Sequence, residues 1–176
     1  IVVQDPMDPV EGNVWWNAFD LDTIAQTPVP ADSTLTVEYY DTTTGEWVVL
    51  DGPIAGPTIY SSDVPADVSE VAGGVRFVYD YTGDGDGFAP GTDVEPNFTA
   101  TLRPQDDGRY TDPAYVEPTD ANHTFIPNCA QSSATASTDG VPGGEAQMDP
   151  EDCPEVELIP TDPGTADLMN KEFGQS

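Results

Sequence analysis

Apolar and polar residues alternate with a period of two through much of this chain. In "TLTVEYYD", Leu35, Val37 and Tyr39 fall on one face and Thr34, Thr36, Glu38 and Tyr40 on the other. "TTTG" then supplies turn residues, and "EWVVL" resumes the alternation, with Trp47 and Val49 opposed to Val48 and Leu50. Successive side chains of a strand point to opposite sides, so this pattern around a Gly-containing loop predicts a β-hairpin. "VRFVYDY" sets Val75, Phe77, Tyr79 and Tyr81 on one side, and "VEPNFTATLR" does the same with Val94, Phe98, Ala100 and Leu102. Towards the C-terminus, "EVELIP" alternates Val156 and Leu158 with Glu155 and Glu157.

A helical period is sustained nowhere. "WWNAFDLDTI" places Trp15 and Phe19 at i and i+4, but from Phe19 it alternates with Leu21 and Thr23, and Pro28 and Pro30 follow. It reads as strand or irregular chain with room for a single helical turn. Many short β-branched segments separated by Gly, Pro and Asp predict an all-β, antiparallel sandwich over residues 1–160. "QSSATASTDGVPGGEAQMDPED" has few large apolar residues and reads as a surface excursion. Residues 161–176, "TDPGTADLMNKEFGQS", read as a linker or the start of a further unit.

Charge narrows the setting. Asp and Glu number 33 against four basic residues, a formal net charge of −29. Nothing in that balance can neutralise phosphates, which excludes nucleic-acid binding and argues against anionic membrane surfaces. No apolar run is long enough for membrane insertion as a helix. The acidity fits a halophilic source, a calcium-rich exterior or an ordinary acidic secreted protein, and composition does not separate them. Disorder is the poorer reading, because three Trp, seven Tyr and six Phe sit within patterned segments. Cys129 and Cys153 are the only cysteines and no zinc-type spacing surrounds them, so a disulfide is expected, with two buried thiols as the alternative. A disulfide in turn points to an extracellular location. No signal peptide is visible, and the opening "IVVQDP" without Met reads as a processed product or an excerpt.

The order of "VVQDP", "WWNAFDLDTI", "VPADSTLTVEYYD", "GVRFVYDY", "FAPG" and "FTATLRP", then "NCA" before "CPEVELIP", resembles the Ig-like conserved repeat of giant surface proteins in actinobacteria and some archaea. The resemblance runs from Ile1 to Pro160 and implies an Ig-like β-sandwich. It also implies tandem copies in cell-surface or fibre-like stalks, with an adhesive or structural role and neighbouring copies as partners. That family has no fixed enzymatic activity or cofactor, so no catalytic residue carries over. A "D-L-x-x-x-K" segment often opens its next copy, and "ADLMNKEF" with Lys171 is similar.

Four groups of residues invite a chemical reading. In "DYTGDGDGFAPGTD", Asp84, Asp86, Gly87 and Asp93 fall at the third, fifth, sixth and twelfth places from Thr82, approximating a calcium loop. Thr82 replaces the first acid there, Asp93 is shorter than the usual Glu, and Asp80 is the candidate compensating ligand; the plainer reading is an acidic hairpin loop. Trp15, Trp16, Tyr40 and Trp47 are candidates for a platform on which surface glycans stack, against the simpler alternative of core aromatics. "NFT" at Asn97 and "NHT" at Asn122 match the glycosylation acceptor pattern. Catalysis has little support, since His123 is the only histidine and no nucleophile motif accompanies it. Lys171 is the only lysine, which raises an isopeptide crosslink to Asp or Asn beside the reading of a solvated lysine. Finally, "IVVQD" and "ADLMNKEF" are terminal segments able to add to a neighbour's sheet and join copies into a filament.

Overall fold

The computed structural model describes residues 1–10, 14–89, 91–103, 124–138, 141–148, 153, 155–158 and 168–172. In chain order the elements are β1 (Val2–Asp5), α1 (Val14–Ala18), β2 (Phe19–Val29), β3 (Ser33–Asp41), β4 (Glu46–Ala55), β5 (Thr58–Asp63), α2 (Ala66–Ser69), β6 (Ala72–Tyr81) and β7 (Asn97–Leu102). They continue with β8 (Thr124–Pro127), β9 (Gln131–Thr138), β10 (Val141–Met148), β11 (Glu155–Leu158) and β12 (Leu168–Glu172). The strands form a six-stranded sheet in the order β10-β9-β1-β6-β3-β4, a four-stranded sheet in the order β12-β7-β2-β5, and a two-stranded ribbon of β8 and β11. All the pairings among these strands are antiparallel.

The period-two pattern has its expected consequence. Val3 of β1, Leu35 and Val37 of β3, and Val75, Phe77 and Tyr79 of β6 turn inward from the larger sheet. They join Phe19, Leu21 and Ile24 of β2 and Phe98 and Ala100 of β7 in one buried cluster, so two antiparallel layers enclose a single apolar interior. Burying each large aliphatic or aromatic side chain contributes about 1.5–3 kcal/mol, and this term dominates the fold's stability. The β3–β4 hairpin forms where the alternation put it. Its turn closes with the Gly45 N–H donating to the Asp41 carbonyl at 2.8 Å, with Gly45 at φ +73°. A second glycine is required for space: a Cβ on Gly56, between β4 and β5, would lie 1.8 Å from the Pro30 carbonyl oxygen.

Three expectations change and one open reading is resolved. The single helical turn allowed for in "WWNAFDLDTI" forms as α1, which carries Trp15 and Trp16. Adjacent residues of a strand face opposite ways, but about 100° separates them in a helix, so both indoles reach the interior. Secondly, the low-apolar segment is not an excursion. It supplies β9 and β10, which extend the larger sheet beyond β1. Outer strands are held by ladder hydrogen bonds, so the small, half-exposed residues Gln131–Ser133 suffice there. Thirdly, β6 and β7 belong to different sheets, so residues 82–96 cross between layers and do not close a hairpin. Fourthly, Leu168–Glu172 is no linker: it pairs with β7 from Leu168 opposite Thr101 to Glu172 opposite Asn97.

Strand directions fix one more property. Val2 pairs with Val78 near the end of β6, and Asn97, which begins β7, stands opposite Glu172 at the close of β12. Ser33 pairs with Tyr81, and Gly56 donates to the Ser33 carbonyl at 2.9 Å beside the end of β2, which brings these points to one end of the two layers. β1 therefore starts, and β12 finishes, at the same end.

Candidate functional site

The most unusual chemistry in the molecule is polar and buried. Asp5 pairs in register with Val75, two positions on from Val3, so the inward alternation of β1 carries its carboxylate into the core. Asp5 is 1% exposed. Its Oδ1 accepts a hydrogen bond from Trp16 Nε1 at 2.8 Å, and its Oδ2 accepts one from Asn128 Nδ2 at 3.1 Å. Asn128 is also 1% exposed, and its Oδ1 has no hydrogen-bond partner among the described residues. Cys129 follows directly, and its carbonyl accepts the Met7 N–H at 2.8 Å, fixing Asn128 beside the end of β1. A buried carboxylate costs several kcal/mol unless it is paired or hydrogen-bonded, which is what the indole and carboxamide donors provide here. Sequence reading missed this group. Asp5 is one acid among 33 acidic residues, and nothing but its shared phase with Val3 distinguishes it.

The aromatic platform is not assembled. Trp15 and Trp16 are 1% and 2% exposed. Trp15 stacks on Phe19 at 4.6 Å between centroids, and Trp16 on Phe98 at 5.6 Å. Their apolar area is worth more inside than out, and α1 gives both a route inward. Tyr40 is buried on the outer face of the larger sheet, edge-on to Trp47 at 5.5 Å. The Arg76 guanidinium covers Trp47 at 4.5 Å from the ring centroid while its Nε donates to Glu38 at 2.5 Å. That ring face is thus occupied by a cation–π contact.

In the "DYTGDGDGFAPGTD" loop, Asp80, Thr82, Asp84, Asp86 and Asp93 are all exposed. The Thr82 N–H donates to the Asp32 carbonyl at 2.7 Å and the Gly85 N–H to Tyr81 Oη at 3.2 Å, while Tyr81 packs edge-on against Phe88. Among the described residues no three acidic, histidine or cysteine side chains converge to hold a metal ion.

Cys129 and Cys153 form the expected disulfide, joining the β8–β9 junction to the approach of β11. Asn97 is half-buried, and its Nδ2, the atom a glycan would occupy, donates to the Gln26 and Glu95 carbonyls at 3.1 and 3.2 Å. Asn122 lies outside the described residues, as do His123 and Arg109. Arg103, 8% exposed, donates to Asp20 at 2.8 Å and to the Asn17 carbonyl at 3.1 Å. Tyr60 of β5 donates to Asp51 of β4 at 2.7 Å; burial first, and this bond second, push its phenol up to about 12.

β1 lies between β6 and β9, so strand donation by β1 requires it to leave its own sheet first. β12 is paired to β7 on one side and ends the four-stranded sheet. No known protein family, curated protein or solved structure matches the chain.

Proposed function

We propose that this chain is an Ig-like structural repeat of an extracellular stalk, adhesin or fibre, acting by cohesion rather than by chemistry on a substrate. The observation that carries the reading is the continuous apolar interior between two antiparallel layers, stapled by Cys129–Cys153. Its large aromatic side chains are used for packing: Trp15, Trp16, Phe19 and Phe98 touch one another at the centre. A disulfide that closes a loop between residues 24 apart in sequence suits an oxidising exterior. The net charge of −29 keeps neighbouring copies dispersed unless they are joined along the chain.

Brief protease treatment of intact source cells tests this reading. It expects peptides of this chain in the released fraction, with Cys129 and Cys153 recovered joined. Recovery only from lysed cells, with both thiols reduced, overturns it. The sequence on either side of the chain provides a second test: homologous copies in tandem support a repeat, and a lone copy beside a hydrolase does not.

A further inference from the structure

β4 ends the larger sheet and β5 the smaller, so each has one side of its backbone without a ladder partner among the described residues. An open edge invites pairing with another chain, and proteins blunt it with charge, proline or bulges. β4 carries all three. Glu46 and Asp51 are exposed, Pro53 has no N–H, and the register against β3 shifts at two places. β5 carries none of them from Thr58 to Ser62. That run, "TIYSS", is uncharged, and Ile59 within it is 64% exposed. The one irregularity in its pairing is an extra residue on β2, between Ile24 and Thr27.

The free backbone groups of β5 can be placed. Pro28, which has no N–H, stands opposite Ile59, so that rung lacks the mutual pair of bonds. Bonded and open rungs alternate in an antiparallel ladder. Ile59, and Ser61 two places on, therefore turn their N–H and C=O groups to the outer edge; Ser61 has no register partner on β2. Side-chain phase follows from the same register. Thr58, Tyr60 and Ser62 stand opposite Val29, Thr27 and Ile24, all three buried, and so share the inner face.

We propose that β5 pairs antiparallel with β5 of a second copy about a two-fold axis through Tyr60, joining two four-stranded sheets into one of eight. In that register Ile59 of each copy exchanges both backbone bonds with Ser61 of the other. Thr58 meets Ser62, and inner residues meet inner ones. The neighbouring in-phase registers are poorer: one sets Asp63 against Ile59, and the other brings Pro57, with no N–H, opposite Ser61. The net charge of −29 keeps copies apart at low ionic strength. At ~1 M salt the Debye length falls to about 3 Å, shorter than the ~4.8 Å between paired strands, and the edge contact then decides. A contact of this kind uses the same strand on both copies, so association closes at the dimer. It goes beyond the reading of the chain as a repeat and does not depend on it.

Sedimentation velocity of the full-length chain over a range of concentrations, at ~0.01 M and at ~1 M salt, is the test. A monomer is expected at low salt and a monomer–dimer equilibrium at high salt. Hydrogen exchange in the dimer is expected to slow at the Ile59 and Ser61 amides and to stay unchanged along β4. Ser61→Pro removes one bond from each copy and is expected to weaken the dimer about tenfold or more. Ile59→Asp, at an exposed position, is expected to weaken it as well, and it decides alone if Ser61→Pro fails to fold. A chain that stays monomeric at both salt concentrations overturns the proposal, as does growth beyond the dimer. A dimer that withstands Ile59→Asp with unchanged exchange at Ile59 and Ser61 moves the contact off β5 and overturns it too.

Discussion

Individual side chains here are decided by whether a buried polar atom finds a partner. Tyr79 is 1% exposed, and its hydroxyl has no hydrogen-bond partner among the described residues. Burial pushes its phenol well above the usual range. A raised tyrosine favours the neutral, folded form, so its contribution is complete below pH ~10, where the unfolded tyrosine ionises, and is lost as pH rises towards the folded value. Tyr79→Phe removes an unsatisfied hydroxyl and is expected to raise stability by about 1 kcal/mol at neutral pH. It should also flatten the loss of stability above pH ~10, as read by urea melts across the alkaline range. Trp16→Phe has the opposite sign. It keeps most of the apolar volume but removes a donor from the buried Asp5 carboxylate, at an expected cost of about 1–3 kcal/mol. Equal effects from the two substitutions would contradict the partner argument.

At the scale of elements, alternation made the strands legible and left their neighbours obscure. β3, β6 and β7 could be read directly, because half of each strand faces a dry interior and its period is visible in the chain, while β4, which has no fully buried residue, was read from the alternation that resumes after "TTTG". β9 stayed hidden: an outer strand is held by its backbone ladder, and "QSSAT" carries no apolar signal. α1 was legible only as an ambiguity, through Trp15 and Phe19 at i and i+4, because five residues are too few to show a helical period. Sheet membership was also beyond reach, since the crossing between β6 and β7 leaves the same pattern as a hairpin. The candidate site was least legible of all, because it joins Asp5 to a residue 123 positions away. Two predictions belong to this level. Replacing Cys129 and Cys153 together by Ser is expected to cost about 3 kcal/mol, measured by denaturant unfolding, because the cross-link restricts a loop of two dozen or so residues in the unfolded chain. Gly56→Ala is expected to disrupt the β4–β5 connection, because the added methyl overlaps the backbone at Pro30. A melting temperature unchanged by that substitution would show that the two backbones do not approach so closely.

The whole molecule is governed by its charge and by where its strands emerge. Two of the four basic residues are engaged with carboxylates, Arg76 with Glu38 and Arg103 with Asp20, so little positive charge offsets the acidic surface. Moving from ~0.01 M to ~1 M salt shortens the Debye length from about 30 Å to about 3 Å, so calorimetry over that range should show Tm rising. A Tm that falls with salt would mean that attraction, not repulsion, dominates the surface. The shared end of β1 and β12 bears on mechanics. Tension applied between Ile1 and Glu172 would unzip β12 from β7 rung by rung, a weak mode compared with sliding whole strands past each other. The lysine sits next to the outermost rung, opposite Phe98. The pull would therefore load the rungs one at a time, beginning with Glu172 opposite Asn97, before any inner rung of the small sheet is stressed.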